Sequence, residues 1–581
     1  MTAADWIVLI ATLLLIVVYG LYKSRTSRDL EGYFLSNRSM PWWLILLSIM
    51  GTQASAITFL SAPGQAFTDG MRFVQYYFGL PLAMVVLCIT FVPAFSKLKV
   101  FTPYEFLEQR FDVKTRTFTA ALFLLSRGFS TGISVYAPSI ILSSLFGWNI
   151  FYTNILMGGI LIIYTVSGGA KAVAYTQQLQ LIIIIIAMCI TGYYIIHLLP
   201  QNIGFTDALK ISGASGKLNA ITTGFDKNGF VWKDKYNIIS GVIGGFFLAL
   251  SYFGTDHSQV GRYLTAKNNT QSKLSLLMNG LVKVPMQFLI LLLGALLFAY
   301  YQFQPSPVFF NKAAEEKTYA APYNDSLKNI NKEFTKVNVQ QKNAAFNYAN
   351  ALKKNDPAGE NVKLQLQQLN NKANALRTQY KSVLQKADPS ADTNDTNYIF
   401  LRFVIDKLPQ GLVGLLIAII FLASWSSVAA ALNALASCSV IDFYLRFKKN
   451  AVNHQPSLQE EEKKYRISKW FTFSWGVFCI VIAEFANRMG SLIEAVNILG
   501  SLFYGVILGI FLVAFYYKKI GGSAVFWSAI ISEIIVVILF ILDNNNIIGL
   551  GFLWLNVIGA VAVILFGSLM QMIQRSFILH K

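Results

Sequence analysis

Three segments place polar or helix-breaking residues within apolar stretches: residues 48–58 (SIMGTQASAIT), 250–257 (LSYFGTDH) and 423–429 (ASWSSVA). Polar groups at membrane depth cost free energy and are tolerated where they line a cavity. An interrupted helix leaves backbone carbonyls free, and Ser426 and Ser427 add two neighbouring hydroxyls. All of these are hard oxygen donors, which Na⁺ binds. The segments therefore predict a cation site inside a membrane protein.

Each of these segments also has a structural interpretation. The glycines of residues 48–58 and 250–257 are compatible with close helix packing, and the two serines can bond back to carbonyls of their own helix. We favour binding because each glycine-containing segment opens a run of five apolar spans, and five spans invert the orientation of the next five. Interrupted helices at corresponding places of two inverted halves are typical of secondary transporters.

Two basic residues, Arg127 and Lys283, lie well inside apolar spans. A charge at this depth requires a partner or a ligand. The guanidinium of Arg127 is suited either to pairing with Asp256 or to receiving a substrate carboxylate in a bidentate manner. Lys283 is either a donor to solute hydroxyls or a structural counter-ion.

The composition is that of a polytopic membrane protein. Of 581 residues, 55% are hydrophobic and only 13% are charged, about half the charged fraction of soluble domains. This argues against a soluble enzyme, a disordered protein or a disulfide scaffold. No nucleophile–base arrangement, phosphate-binding glycine loop or metal-spaced histidine cluster is found, so neither an enzyme nor a cofactor-dependent reaction is expected.

Thirteen segments are apolar enough to be candidate spans: residues 4–22, 42–66, 73–96, 118–146, 149–167, 176–200, 236–256, 275–304, 409–440, 470–488, 492–517, 524–543 and 548–573. If the N-terminus is outside, inside connections hold 24 Lys and Arg residues and short outside connections hold 7. The positive-inside rule therefore predicts an N-out, C-in protein of the cell (inner) membrane, in the lipid bilayer. The net charge of +19 is attributed to this rule rather than to nucleic acid, for which no motif is present.

A polar stretch interrupts the second run of spans and is expected on the outer face. Within it, apolar residues recur in steps of three and four on both sides of the turn signal at residues 355–359 (NDPAG). This pattern predicts an antiparallel helical hairpin over residues 305–397. We consider it either a structural addition or a docking element for a protein partner.

Several motifs resemble the sodium:solute symporter family, whose members carry sugars, sialic acid, monocarboxylates, vitamins or iodide with Na⁺. Residues 164–176 (YTVSGGAKAVAYT) are similar to its internal-loop signature, and residues 254–264 to the segment after the second broken helix. Residues 426–433 and 497–505 (NILGSLFYG) resemble its eighth and tenth core helices. The resemblance implies an all-α membrane protein with a LeuT-type 5+5 inverted repeat.

The resemblance also implies site residues. Gly51, Ala54 and Ala423 would supply carbonyl oxygens to Na⁺, the coupling ion, and Ser426 and Ser427 would supply hydroxyls. Tyr252 falls at the position of the inner-gate tyrosine. The substrate would meet a larger set of positions, with Gln53 and Asp256 as further polar residues in the membrane: Ser55, Thr58, Gln75, Tyr77, Arg127, Lys283 and Asn497.

Departures from the family pattern qualify these roles. Gln177 stands where many members have an acidic residue, and Ala429 and Ala430 stand where a second sodium site uses hydroxyls, so one Na⁺ per cycle is expected. The sugar-binding positions of galactose carriers are poorly kept. Ser55, Thr58, Gln75 and Arg127 look more like the pocket of sialic acid carriers, which favours an anionic solute.

The predicted organisation has an extra N-terminal helix and linker (1–40), a first repeat (41–200), an outer loop (201–235), a second repeat (236–517) interrupted by the hairpin, and two extra helices with a tail (518–581). The predicted function is sodium-coupled import of a small organic solute by alternating access, with sialic acid or another carboxylate favoured. The alternatives are a sodium-coupled carrier of a neutral sugar or polyol and, from other classes, a channel or a membrane sensor.

Overall fold

The structure is a computed structural model that describes residues 1–23, 38–98, 100–167, 170–389, 391–448, 458–486 and 491–579. It is helical, apart from a two-stranded antiparallel ribbon, β1 (Phe225–Asp226) and β2 (Gly229–Phe230). The first helices are α1 (Ala3–Lys23), α2 (Trp42–Gln53), α3 (Ala56–Asp69), the irregular helix α4 (Met71–Leu98), α5 (Tyr104–Arg110), α6 (Val113–Phe146), α7 (Ile150–Ser167), α8 (Ala170–His197) and α9 (Phe205–Ala214).

After the ribbon, α10 begins as a π-helical turn (Ser240–Gly244) and continues as Gly245–Gly254. The remaining helices are α11 (His257–Tyr263), α12 (Asn269–Phe303), α13 (Lys312–Glu316), α14 (Tyr323–Lys354), α15 (Gly359–Ala387), α16 (Thr396–Lys407), α17 (Leu412–Cys438, prolonged by the π-helical turn Ser439–Tyr444 and the short helix Leu445–Phe447), α18 (Leu458–Ala483), α19 (Leu492–Tyr516), α20 (Gly522–Asn544) and α21 (Leu553–Leu579).

Nine helices in the described ranges are long and apolar enough to cross a membrane, and the bent pair of α2 and α3 makes a tenth. Three shorter apolar helices, at Ala3–Ile16, Ile150–Val166 and Ser240–Thr255, coincide with the other candidate spans. Every segment proposed from the sequence therefore contains a helix within the described residues. The count of thirteen spans stays a prediction, because three of the helices are short.

The first predicted interruption is present. α2 and α3 are bent by 60° at Ala54 and Ser55, where Ser55 adopts an extended conformation with ψ 173°. The second lies at Thr255 and Asp256, which leave the helical conformation between α10 and α11. The first predicted segment thus bends an apolar span, and the second lies where the apolar helix α10 ends and the short, more polar helix α11 begins.

The two long helices that carry the intramembrane cations have defined starts. The carboxylate of Asp112 accepts a hydrogen bond from the Thr115 N–H at 2.7 Å and begins α6, which ends at Gly147 with φ +66°. The Asn268 side chain accepts from the Gln271 N–H at 3.0 Å and begins α12. Such caps satisfy free N–H groups of the first turn and fix the helix register.

The half-helix α3 lies in close contact with two neighbours. A Cβ atom on Gly64 would lie 2.0 Å from the carbonyl oxygen of Thr396, which begins α16. A Cβ atom on Gly294 of α12 would lie 2.1 Å from the Pro63 carbonyl oxygen. Only glycine permits this approach, and it places α3 directly against α12 and α16.

The polar stretch forms two helices, α14 and α15, joined by residues 355–358. Their shared apolar faces bury Leu327, Phe334, Leu376 and Tyr380, and the Gln341 amide donates to Asn370 Oδ1 at 2.7 Å. Arg377 on α15 pairs with Asp395 before α16 at 3.4 Å, and its guanidinium lies 5.9 Å from the Phe67 ring of α3. The helix pair is thereby connected to the half-helix α3.

Candidate functional site

A cavity of about 140 Å³ lies where both interrupted helices meet α4, α6, α12, α17 and α19. Nine of the residues proposed from the sequence line it: Gln53, Ser55, Thr58, Tyr77, Arg127, Tyr252, Lys283, Ser427 and Asn497. Residues separated by more than 400 positions in the chain are therefore brought to one place. Gln75 does not line this cavity.

The break between α2 and α3 frees backbone oxygens. In a continuous helix, the Gly51 and Ala54 carbonyls would accept from the N–H groups four residues later. Here the Thr58 N–H bonds to the Ser55 carbonyl instead, at 3.0 Å, and no backbone hydrogen bond from the described part of the chain reaches either carbonyl oxygen. Both oxygens remain able to bind a cation.

The adjacent serines of α17 bond back to their own helix. Ser426 Oγ donates to the Ala423 carbonyl at 3.3 Å, and Ser427 Oγ donates to the Ser424 carbonyl at 3.1 Å. The back-bonding considered as an alternative is therefore present. It is compatible with cation binding, because a hydroxyl that donates its hydrogen keeps two oxygen lone pairs.

The amide of Gln177 on α8 connects the two halves of this proposed cation site. Its Oε1 accepts from Ser48 Oγ at 2.8 Å, and its Nε2 donates to Thr52 Oγ1 at 3.1 Å and to the Ser426 carbonyl at 3.4 Å. Gly51 permits the contact, since a Cβ atom there would lie 2.8 Å from Gln177 Cβ. Sequence analysis noted only that an acidic residue is missing here and did not anticipate this bridge.

Arg127 on α6 pairs with Asp256, the residue at the second interruption. Its Nε and Nη2 atoms donate to Asp256 Oδ2 at 3.1 and 2.5 Å, and Nη2 also donates to Ser258 Oγ at 2.7 Å. The hydroxyl of Tyr504 on α19 donates to the same carboxylate oxygen at 2.7 Å. Of the two roles considered for Arg127, the structure shows the ion pair. Sequence analysis did not anticipate Tyr504 or Ser258, although both are hydroxyls in resembling motifs.

Lys283 is the cation of the cavity that has no carboxylate partner. Its side chain is 1% exposed, and among the described residues its ammonium makes no hydrogen bond or ion pair. The Tyr77 ring lies 5.5 Å from its Nζ atom. A buried ammonium beside an open space is poised to bind a polar or anionic ligand.

Other cavity residues are held by hydrogen bonds. The Gln259 amide donates to the Tyr252 hydroxyl at 2.7 Å, and the Tyr76 hydroxyl donates to Asn497 Oδ1 at 3.1 Å. The Arg127 guanidinium lies 5.3 Å from the Tyr252 ring. Tyr252 and Arg127 therefore both line the cavity beside Asp256, and the gate role that the resemblance implies for Tyr252 stays a prediction.

Gln75 is used elsewhere. Its Nε2 donates to Thr222 Oγ1 and to the Tyr236 carbonyl, each at 3.0 Å, and its Oε1 accepts from the Thr222 N–H at 3.1 Å. The side chain is fully buried and fastens the outer loop to α4. The structure thus does not bring Gln75 to the cavity.

We expect Gln75→Ala to lower stability without changing solute affinity. Removing the amide leaves buried groups of the loop unpaired, which costs about 1–3 kcal/mol each. Thermal unfolding would show a lower melting temperature than for Gln340→Ala, a matched change at an exposed glutamine of α14. A loss of solute binding without a loss of stability would instead return Gln75 to the binding site.

A family model described as "Sodium:solute symporter family" matches residues 33–322 and 382–532. The matched ranges contain both interrupted helices, α17 and every residue of the proposed sites. The unmatched residues 323–381 comprise α14 and most of α15, so this helix pair is an insertion relative to the family model.

Two curated relatives cover nearly the whole chain. The sodium/sialic acid symporter NanT of Aliivibrio fischeri is 24% identical over 97% of this chain and 92% of its own length. The sodium/sialic acid symporter SiaT of Proteus mirabilis is also 24% identical, over 97% and 94%. The human sodium/iodide cotransporter is 28% identical over 43% of this chain and 38% of its own length.

The fold is also similar to a solved structure. A sodium-coupled sialic acid symporter in a substrate-bound, outward-open state superposes with a TM-score of 0.71, covering 98% of both chains at 22% identity. This similarity confirms the predicted all-helical, LeuT-type inverted-repeat fold.

Proposed function

The chain belongs to the sodium:solute symporter family, and we propose that it imports a small organic anion together with Na⁺ by alternating access. Family membership places it among transporters rather than enzymes. The single observation that supports an anionic solute is the charge of the central cavity. Arg127 is neutralised by Asp256, whereas Lys283 has no acidic partner within the described residues.

This charge balance selects among solute classes. A cavity with one unpaired buried cation gains most from a ligand that supplies one negative charge, because a buried charge without a partner is costly. A carboxylate also satisfies the ammonium donors of Lys283. Thr58, Asn497 and Ser55 provide hydroxyl and amide groups for the hydroxyls of a sugar acid. Sialic acid, which the full-length relatives carry by name, has both features.

Na⁺ is the coupling ion in this proposal. The freed carbonyls of Gly51 and Ala54, the Ala423 carbonyl and the hydroxyls of Ser426 and Ser427 would bind it between α2 and α17. Ser427 also lines the solute cavity, so both ligands bind the conformation that keeps these helices together. By linkage, each then raises the affinity for the other by the same factor.

The inner side of the cavity is closed by the cluster of Arg127, Asp256, Tyr504 and Ser258, with Tyr252 above it. Opening to the inside would separate α11 from α6 and break this cluster. The same movement would draw α2 from α17 and release Na⁺. A sodium gradient then favours release of both ligands on the side where sodium is low.

The orientation and the outer insertion are part of the same proposal. We place the N-terminus and the α14–α15 pair outside and the C-terminus in the cytoplasm of a cell whose inner membrane contains the protein. In this proposal the N-terminal helix and linker end at residue 40, the first repeat at residue 200, the outer loop at residue 235 and the second repeat at residue 517. The insertion would be either a structural addition or a docking element for a protein partner. Labelling of a cysteine introduced at exposed Val339 in intact cells tests on which side of the membrane it lies.

A binding screen tests the choice of solute. We expect sialic acid to raise the melting temperature of the purified protein in sodium but not in choline buffer. Its methyl ester, which lacks only the negative charge, should bind at least tenfold more weakly. Equal binding of acid and ester would favour the neutral-sugar alternative, for which the hydroxyl and amide lining alone would suffice.

One Na⁺ per solute is expected, because Gln177 is uncharged and its amide is used in the bridge between α2 and α17. Transport of one Na⁺ with one monoanion moves no net charge. Uptake of a monocarboxylate into proteoliposomes should therefore be insensitive to a potassium diffusion potential. Strong stimulation by an inside-negative potential, with a sodium-to-solute flux ratio near two, would contradict this stoichiometry.

A further inference from the structure

A second, smaller cavity lies on the far side of the Arg127–Asp256 pair. It has a volume of about 30 Å³ and lies between α11 and α17, lined by His257, Ser258, Gly261 and Arg262 on one side and by Ala430, Asn433 and Ala434 on the other. Ser258, which accepts the hydrogen bond from Arg127, is part of its wall. The proposed transport mechanism uses Ser258 but gives no role to Arg262 or to the space beside it.

Arg262 is a buried cation without a counter-charge. Its residue is 7% exposed, and in the described part of the chain its side chain makes no ion pair, hydrogen bond or ring contact. Arginine remains protonated in proteins, so it does not escape this cost by losing its proton. A guanidinium that is mostly removed from solvent and has no protein counter-charge favours binding of an anion in the adjoining cavity.

Two further groups on the same wall are able to donate hydrogen bonds. His257 is 4% exposed and its Nδ1 atom has no partner among the described residues. The Ser258 hydroxyl accepts from Arg127 and retains its own hydrogen for donation. The described wall contains no carboxylate. Its chemistry therefore matches an anion rather than a cation.

The size of the cavity limits the occupant. One water molecule requires about 10–15 Å³ of such space, so about 30 Å³ accommodates a small ion but not a sugar acid. We propose that this cavity binds a small monovalent anion, a halide or a short carboxylate, at Arg262, His257 and Ser258. The site is separate from the central solute cavity.

The anion would also affect sodium binding. Residues 430–434 follow Ser427 by three to seven positions on α17, which corresponds to roughly 5–10 Å along the helix axis. An Arg262 guanidinium without an anion, facing this part of α17, would repel Na⁺, and a bound anion would offset that repulsion. Chloride should therefore raise sodium affinity several-fold. This consequence rests on the proposed sodium site, whereas anion binding itself does not.

Bromide tests the site directly. Crystals of the full chain grown in sodium bromide should show anomalous density beside Arg262, and acetate in excess should remove it if carboxylates also bind. If the bromide density remains in excess acetate, the site is selective for halides, and this result also supports the proposed anion site. Absence of bromide density beside Arg262 in the wild-type protein would overturn it, irrespective of how any variant folds.

A variant tests the link to sodium. The sodium concentration that gives half of the maximal thermal shift would be measured in sodium chloride and in sodium gluconate. The proteins compared are the wild type, Arg262→Gln and Arg466→Gln. We expect the wild type and Arg466→Gln, an exposed matched control, to bind sodium several-fold more tightly in chloride. Arg262→Gln should bind sodium equally in both salts. If bromide binds but Arg262→Gln still binds sodium more tightly in chloride than in gluconate, the proposed coupling is wrong. If bromide binds but sodium shifts the melting temperature of none of the three proteins, the sodium site is wrong.

Discussion

Replacing Lys283 with glutamine should abolish sodium-driven uptake of an acidic solute while the protein still folds. The ammonium is buried and has no protein counter-charge in the described chain, so the solute carboxylate is its partner in the proposed complex. Truncating one member of a buried, hydrogen-bonded charge pair costs about 2–5 kcal/mol, and about 3 kcal/mol corresponds to roughly 100-fold in affinity. Binding of the acid would be measured by calorimetry at saturating sodium.

Two matched variants make the Lys283 experiment specific. Lys273→Gln removes a charge from the same helix, α12, at its first turn and away from the cavity, and should leave affinity unchanged. Lys283→Arg keeps the positive charge and should retain partial binding. If Lys283→Gln binds the acid as tightly as the wild type, the unpaired ammonium does not select the solute.

Replacing Ser427 with alanine should weaken sodium binding by about 10–100-fold. The change removes one proposed hydroxyl ligand, and hydrogen bonds or ligand contacts to charged groups contribute about 1.5–3 kcal/mol. The variant should fold, because among the described residues Ser427 Oγ bonds only within its own helix. Sodium activation of uptake and sodium-dependent thermal shift would both measure the loss.

Ser424 supplies the control for this change. It lies one turn before Ser427 on α17, is fully buried, and its hydroxyl donates to the Ser134 carbonyl of α6 at 3.2 Å. Ser424→Ala should therefore alter stability more than sodium affinity. An unchanged sodium dependence in Ser427→Ala, or an equal loss in both variants, would remove Ser427 from the proposed ion site.

The helical interruptions were accessible from sequence because they are local. A glycine among hydroxyls within an apolar run conflicts with a continuous membrane helix, whatever lies around it. Accordingly both segments interrupt a helix, at Ala54–Ser55 and at Thr255–Asp256. The fold class followed from the positions of these segments and from the family resemblance, and it is confirmed.

The charge assignments depended on packing and were less accessible. The spacing of residues along a helix shows which side chains share a face of that helix. It does not show which face turns toward the cavity. Arg127 had two open roles until Asp256 and Tyr504 were placed beside it. Gln75 was assigned to the solute by resemblance, yet the outer loop folds back to occupy its amide.

The bridge through Gln177 illustrates the same limit. From its residue type, Gln177 indicated only that the negative charge found at this position in many family members is missing. That interpretation supports a single sodium ion. Its contacts with Ser48, Thr52 and the Ser426 carbonyl depend on three helices meeting around Gly51. No periodicity along one segment encodes such a meeting point. Small residues such as Gly51 show where helices can approach closely, but not which side chain will fill the space between them.

Sodium-driven accumulation in proteoliposomes tests the central claim most directly. The purified chain would be reconstituted, and uptake of radiolabelled sialic acid, or of the acid selected by the thermal-shift screen, would be followed with sodium or choline outside. The account predicts transient accumulation above the external concentration in sodium, none in choline, and strongly reduced accumulation with Ser427→Ala at the same sodium concentration. Equilibration at the same rate in both buffers, without accumulation, would contradict coupled transport and indicate a passive pore.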